Sequence, residues 1–311
     1  MPVTDKRIGV LAGGLSAERE VSLKTGGAIY GALGRLGYNV CLIDAGMDLA
    51  EVLKKEAVEV VFIALHGGHG EDGSIQGFLE VAGIPYTGSG VLASALAMDK
   101  EFSKRMFREQ GIAVPEGITL GKDGFHGGKV SAGAKLDFPL PWVVKPVTEG
   151  SSIGVTMVNG REELAPALEK AFSLSGRAIV ERRITGKEVQ VGILGGRVLG
   201  SVEVRPFLDF YSYEAKYTGG KTSYILPPEM DAAALEEAHR VGLAAHKALG
   251  CSGATRVDLI IDAAAKPWVL EVNTIPGMTE TSLLPKIAKQ SGLDFPSLVE
   301  EILREALYEK R

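Results

Sequence analysis

Residues 7–20 read Arg7-Ile8-Gly9-Val10-Leu11-Ala12-Gly13-Gly14-Leu15-Ser16-Ala17-Glu18-Arg19-Glu20. A short apolar run ends in a glycine pair, and the residues that follow open a helical spacing of apolar positions that continues to Leu36. The stretch therefore predicts strand, glycine turn and helix. The same alternation continues outward, with a strand over Tyr38–Ile43, a helix over Leu49–Lys55, a β-rich run over Val58–Leu65 and a helix over Ser74–Ala82. Strands alternating with helices indicate βαβ units and a parallel sheet. Ligands of such sheets bind beyond the C-terminal ends of the strands. The loop from His66 to Gly73, too rich in glycine for regular structure, falls at such an end.

Beyond Tyr86, apolar residues at Leu92, Leu96, Phe102 and Met106 predict one long helix ending before Gly111. Residues 117–139 have few large apolar side chains and read as a loop or weak element. A strand over Trp142–Lys145, a glycine-serine loop over Glu149–Gly154, a returning strand over Val155–Val158, a helix over Arg161–Ser173 and a strand over Ala178–Arg183 form a compact α+β unit. Glu188–Leu194 and Val198–Val204 flank a Gly195-Gly196 turn as an antiparallel hairpin. Pro206–Pro228 is a long polar loop of the kind that carries function. A helix over Ala232–Leu249, strands over Thr255–Ile261 and Trp268–Val272, and a helix over Phe295–Tyr308 complete the chain.

The composition, 45% hydrophobic and 23% charged over 311 residues, excludes disorder, a collagen and a disulfide scaffold, and implies two or three domains. A net charge of −5 with no block of like charge offers nucleic acid no footprint, so a small-molecule partner is expected. Cys41 and Cys251 sit in apolar stretches and read as buried free thiols of a reducing compartment. The N-terminus lacks a signal-peptide apolar region and no apolar run is long enough to span a membrane, so a cytoplasmic protein is expected. Forty glycines mark a chain that turns tightly at many points.

Strand alternation puts Arg256 and Asp258 on one face of a strand, and Glu271 and Asn273 on one face of the next. Two carboxylates and an amide oxygen suit Mg²⁺ that bridges substrate phosphates, and Arg256 suits charge developing on a transferring group. A plain salt bridge to Arg256 accounts for the carboxylates equally well. Lys145 ends an apolar strand, and the loop Glu149-Gly150-Ser151-Ser152-Ile153-Gly154 offers backbone N–H groups and hydroxyls to phosphate, although a lone edge lysine explains itself without one. Glu18 stands in the first turn of a helix, where it serves as a helix-start acid or a cap with Ser16, or else binds a substrate ammonium. His66 and His69 lack the further spaced ligands that zinc needs, so their loop is expected to shape a pocket. Gly88-Ser89-Gly90-Val91-Leu92-Ala93 matches a dinucleotide fingerprint in the wrong place, and no Walker A loop occurs.

Together these residues resemble the D-alanine–D-alanine ligases of the ATP-grasp superfamily, from Ile8 to Leu303. The resemblance rests on Gly13 to Ser22, on Leu65-His66-Gly67 through Gly73, and on Pro85 to Gly90 with Met98-Asp99-Lys100. It continues in Val144-Lys145-Pro146 with Glu149 to Ser152, in Tyr213 to Tyr217, and in Glu271-Val272-Asn273-Thr274 with Pro276 to Thr279. It implies an α/β, three-domain ATP-grasp architecture. An N-terminal parallel-sheet α/β domain over residues 1–98 is followed by two α+β domains, 99–186 and 187–311, that enclose ATP.

The activity implied is ATP-dependent ligation of two D-alanine molecules through an acyl phosphate, for peptidoglycan. By this resemblance Glu18 holds the ammonium of the first D-alanine with Ser151 and Tyr217 as partners, and His66 lies in the substrate pocket. Lys100, Lys145 and Lys216 bind phosphates. Glu181, Arg182 and Ile184 border adenine, and Glu188 takes the ribose. Asp258, Glu271 and Asn273 hold two Mg²⁺ or Mn²⁺ ions. Arg256 and the Gly277 N–H stabilise the tetrahedral oxyanion, and Ser282 receives the second carboxylate. The loop carrying Lys216 and Tyr217 is expected to close and exclude water. The resemblance also implies a homodimer, and Tyr217 favours D-alanine over D-lactate as second substrate. The rivals are another ATP-grasp carboxylate–amine ligase, such as a D-alanine–D-lactate ligase, and a nucleotide-binding module without catalysis. The glycines at 13–14, 67–73, 88–90, 150 and 277 are expected where backbone approaches substrate or phosphate. Residues 121–137 follow no pattern of the family.

Overall fold

The computed structural model describes residues 5–126, 129–130, 136–206, 222–279 and 282–308. The opening stretch folds as its pattern dictates. Strand β1 (Ile8–Ala12), every residue of it buried, lies between β2 (Val40–Asp44) and β3 (Val60–Ile63) in a parallel sheet of order β2-β1-β3. Helix α1 (Arg19–Arg35) packs on β1 and β2, and α2 (Leu49–Lys55) and α3 (Ser74–Ala82) follow. A parallel bridge from Val61 to Tyr86 extends the sheet by one more position.

The long helix expected through Leu92 and Met106 is two helices, α4 (Val91–Met98) and α5 (Lys100–Glu109). Between them Asp99 is extended (φ −86°, ψ 101°), and its carboxylate accepts the Glu101 and Phe102 N–H groups, each at 3.0 Å, as the N-cap of α5. Its other oxygen meets the guanidinium of Arg177. Apolar spacing missed the break because the two helices are nearly collinear in sequence pattern but not in what they bury. Phe102, one of the residues that suggested a single stripe, is 44% exposed, whereas the buried face of α5 carries Lys100, Ser103, Lys104 and Phe107.

A second correction follows at Gly117–Gly121, which is a full strand, β4, paired antiparallel with β9 (Arg177–Arg182). A Cβ on Gly117 would lie 2.6 Å from the carbonyl oxygen of Val180, so this strand needs glycine where a sequence reading wants an apolar residue. With β7 (Trp142–Pro146) and β8 (Thr156–Val158) it forms an antiparallel sheet of order β4-β9-β7-β8, backed by α6 (Leu164–Phe172). Phe125–His126 (β5) and Lys129–Val130 (β6) make a small separate hairpin.

The third sheet, order β12-β11-β10-β13-β14, is antiparallel throughout and contains β10 (Gly186–Leu194), β11 (Arg197–Pro206), β12 (Thr222–Ile225), β13 (Ala254–Asp262) and β14 (Pro267–Asn273). Helix α7 (Ala232–Ala248) packs on β10, β13 and β14, and α8 (Leu283–Gln290) packs on β10 and β11. Neither β12 nor α8 was expected. The first lies inside a polar loop, and the second is eight residues long with Pro285 in its first turn. Helix α9 (Phe295–Tyr308) returns to α1, where Leu298 and Ile302 join Ile29 and Leu33 in one apolar cluster and Tyr38 Oη donates to Glu300 at 2.7 Å. A parallel α/β sheet followed by two antiparallel sheets with covering helices is the expected class. Among the described residues no helix is long and apolar enough to cross a membrane.

Candidate active site

The site begins at the first strand–helix junction. Glu18 is the N-cap residue of α1, yet its side chain does not cap the helix. Ser16 Oγ accepts the Glu18 N–H at 3.1 Å and donates to the carbonyl of His66 at 2.5 Å, which fixes the turn against the His66 loop. The Glu18 carboxylate is thereby left to reach the glycine-serine loop, where Ser151 Oγ donates to Oε1 at 2.5 Å. Backbone crowds around it. A Cβ on Gly67 would stand 2.7 Å from Glu18 Oε2 and one on Gly150 3.4 Å away. Ser151 and Ser152 adopt left-handed φ of 51° and 59°, a conformation that non-glycine residues sustain chiefly where the surroundings impose it. Buried His66 bonds to Thr25 at 3.0 Å and approaches Glu71 at 3.4 Å.

Strands β13 and β14 supply the opposite wall. Their register sets Asp258 against Glu271 and Arg256 against Asn273, with an irregularity just after Asp258. Arg256 grips both oxygens of Asp258 at 2.8 and 3.1 Å, and Gln190 on β10 donates to the same carboxylate at 3.4 Å. Lys100, at the start of α5, pairs with Glu271 at 3.3 Å and donates to the carbonyl of Glu149 at 2.6 Å. Asn273 Oδ1 is oriented by the N–H of Ile275 at 2.9 Å. The salt bridge from Arg256 to Asp258 therefore exists, and the register sets the pair Arg256 and Asp258 against the pair Asn273 and Glu271 on neighbouring strands. Among the described residues no three His, Cys, Asp or Glu side chains form a metal cluster. A donor set of two carboxylates and one amide suits a hard cation that takes its remaining ligands from phosphate and water, not a closed structural site.

Two cavities meet here. One, of about 330 Å³, is bounded by Glu18, His66, Ser151, Arg256, Gly277 and Ser282. The other, of about 270 Å³, is a cleft bounded by Lys145, Glu181, Arg182, Ile184, Glu188 and Asp258. Lys100 and Glu271 line both, so their ion pair stands on the boundary. Asn273 lines the first cavity. Ser282 precedes α8, and its hydroxyl accepts the N–H of Thr279 at 3.0 Å. Lys145 ion-pairs with Glu181 inside the cleft. Lys216 and Tyr217 lie outside the described residues.

Not every glycine fell where expected. Gly13 packs against Asp44 and Arg19, and the backbone of Gly88 lies where a Cβ on Gly253 would stand, 2.9 Å away, so both glycines serve packing within the protein and line neither cavity. The sequence reading also missed Lys104, Gln190, Thr25 and Glu71. The fourfold spacing of Lys100 and Lys104 on one helix was the signal available for the first of them.

The family profile described as the D-ala D-ala ligase C-terminus matches residues 106–304, and that described as the D-ala D-ala ligase N-terminus matches residues 44–89. A curated D-alanine–D-alanine ligase of Geotalea uraniireducens is 51% identical over 302 residues, covering 97% of this chain and 96% of that protein. The chain belongs to the D-alanine–D-alanine ligase family. Among solved members, the Bacillus anthracis D-alanine–D-alanine ligase complexed with ATP is 35% identical, with a TM-score of 0.84 over 97% of both chains. A D-Ala:D-Ser ligase of Enterococcus faecalis is 31% identical, with a TM-score of 0.85 over 97% of this chain and 99% of that one. Structures described as a D-alanine–D-alanine ligase and as a D-Ala:D-Ser ligase thus resemble this chain equally well, so likeness of fold alone does not name the second substrate.

Proposed function

We propose that this protein joins two D-alanine molecules to D-alanyl-D-alanine at the expense of ATP, for peptidoglycan synthesis. The observation that carries the reading is the meeting of the two cavities at the Lys100–Glu271 pair. Phosphoryl transfer from a nucleotide to a carboxylate needs donor and acceptor to approach at one point surrounded by compensating charge.

In this reading Glu18, oriented by Ser151, takes the ammonium of the first D-alanine. Its carboxylate then lies toward Lys100, where ATP phosphorylates it to an acyl phosphate and ADP leaves. The amine of the second D-alanine attacks that carbonyl and phosphate departs. Arg256 and the N–H of Gly277 line the wall where negative charge develops on the carbonyl oxygen, and such preorganised donors are worth several kcal/mol in a site shielded from water. Ser282 and the first turn of α8 face the same cavity, and a helix N-terminus attracts the second carboxylate. Asp258, Glu271 and Asn273 would hold Mg²⁺ or Mn²⁺, which when bound neutralises charge on the transferring phosphate. Lys145, Lys100 and Lys216 serve the phosphates, and Glu181 to Ile184 with Glu188 border the nucleoside.

The division at residues 98/99 and 186/187 is supported by the Asp99 helix break and by the passage from the second sheet to the third between β9 and β10. A cytoplasmic homodimer is part of the same reading. Tyr217 favours D-alanine as second substrate. A coupled ADP-release assay with D-alanine, L-alanine and D-lactate tests it. ADP release dependent on D-alanine and divalent cation is expected, and release indifferent to D-alanine, or dominant depsipeptide formation at neutral pH, would refute it.

A further inference from the structure

Lys104 occupies a place that the proposed chemistry does not use. One turn after Lys100 on α5, its side chain is 1% exposed, and its Nζ lies 2.7 Å from Glu181 Oε2. The other oxygen of Glu181, itself 4% exposed, pairs with Lys145. Glu181 and Lys145 lie on one face of the central sheet, because Glu181 is opposite Val143 in register and Lys145 is two residues further on. Both line the nucleotide cleft, whereas Lys104 does not, so the carboxylate stands between a lysine that meets the cleft and one sealed behind it.

The charges explain why two lysines are needed. Glu181 and Lys145 alone would cancel, and a lysine tied to a carboxylate in a low-dielectric wall is a poor partner for phosphate. With Lys104 the triad carries a net positive charge, and the cationic member on the cleft side is Lys145. Burial would raise the Glu181 carboxyl, but Lys104 and then Lys145 hold it down to about 2. Burial pulls Lys104 down to about 8 against the attraction of Glu181, with Lys145 and Arg108 adding repulsion. The fold tolerates a fully buried ammonium here, which otherwise carries a large desolvation penalty.

We propose that Lys104 is a positioning residue for the nucleotide: it compensates Glu181 from behind, so that Lys145 remains available to the phosphates of ATP. The inference rests on the ligase reading. Its distinguishing mark is selectivity for phosphate. Loss of Lys104 weakens ATP and leaves adenosine and D-alanine largely alone, whereas a general loosening of the cleft weakens ATP and adenosine together.

The test compares the KM for ATP, the inhibition constant of adenosine and the KM for D-alanine, with Mg²⁺ present, in wild type, Lys104→Met, Lys104→Arg and Lys104→Met/Glu181→Gln. A charge-assisted contact of this kind corresponds to about tenfold or more in affinity. Lys104→Met is expected to raise the KM for ATP by about that factor while adenosine and D-alanine change by less than about threefold. Lys104→Arg restores ATP, and the double variant, which has no carboxylate to capture Lys145, recovers the preference for ATP over adenosine. Equal losses of ATP and adenosine, or no loss of ATP, overturn the proposal. Should Lys104→Met fail to fold, Lys104→Gln, which keeps a hydrogen-bond donor toward Glu181 without the charge, replaces it under the same criteria: a selective loss of ATP supports the proposal, and equal losses of ATP and adenosine or no loss of ATP overturn it. A wild type that neither binds Mg-ATP nor releases ADP with D-alanine sinks the ligase reading and this inference with it, whereas a sound wild type with an indifferent Lys104→Met sinks this inference alone.

Discussion

Ser151 donates its hydroxyl to Glu18 at 2.5 Å across 133 residues of sequence. The bond fastens the glycine-serine loop of the second sheet to the first helix of the parallel sheet and aims the Glu18 carboxylate into the larger cavity.

Replacing Ser151 by Ala therefore frees Glu18 to rotate without disturbing the core. A hydrogen bond to a charged group is worth about 1.5–3 kcal/mol, or about ten- to a hundredfold in kcat/KM. The loss is expected in the KM for D-alanine more than for ATP, with circular dichroism unchanged, and steady-state kinetics with each substrate varied in turn will show it.

The bare backbone at Gly67 makes a second case. Gly67→Ala puts a methyl where Glu18 now lies, at a φ of 69°. Gly37 has a φ of 84° and open space around it, so Gly37→Ala isolates the backbone strain. Both variants are expected to lose about 1 kcal/mol in denaturant unfolding. Only Gly67→Ala is expected to lose activity as well.

At the junction of the two cavities, Glu271→Gln removes one carboxylate from the proposed cation site and ends the ion pair with Lys100. The expected fall in kcat/KM is about a hundredfold or more. Chelation should silence the wild type and added Mg²⁺ or Mn²⁺ restore it. Activity that survives both treatments would remove Glu271 from the metal assignment.

Asp99 starts α5 and holds Arg177 at once. Asp99→Ala is expected to cost about 0.5–2 kcal/mol for the cap, which in a chain of this size lowers Tm by a few degrees. Differential scanning calorimetry measures it.

His246, in the last turn of α7, is buried and bonds to Thr255 at 2.8 Å. Burial lowers it to about 4, with Lys247 adding to the effect. An unfolded histidine titrates near 6.5 and takes up protons that the folded one refuses. Its contribution is therefore complete above about pH 6.5 and is lost as pH falls toward 4, up to about 3 kcal/mol. Unfolding free energies across this window should decline less steeply in His246→Asn, which keeps a hydrogen-bonding atom toward Thr255.

The regular elements were legible wherever one physical rule governed them. Alternation alone put Arg256 with Asp258 on one strand face and Glu271 with Asn273 on the next, and the register sets the two pairs against each other. The glycine turn before Glu18 announced a strand end and a helix start. The reading faltered where two rules competed. Asp99 breaks a helix inside an unbroken apolar spacing, because a cap residue outweighs periodicity over a single position. Strand β4 opens on a glycine that the neighbouring backbone demands. Lys104 hid because a lysine on a helix reads as solvent-facing, and its spacing from Lys100 gains meaning once packing against Glu181 shows it to be interior.

The pairing of Tyr38 with Glu300, 262 residues apart, closes the first helix onto the last. The bond between Ser151 and Glu18 is a second such closure, and the walls of the larger cavity run from Glu18 to Leu283 along the chain. Such distant closures are entropically slow, and local helices and hairpins form long before them. In refolding from denaturant, enzymatic competence should thus be the last property to return, trailing the recovery of helical and strand signals. A fragment lacking α9 should be helical and strand-rich yet inert, with the clock of assembly set by the meeting of the two ends.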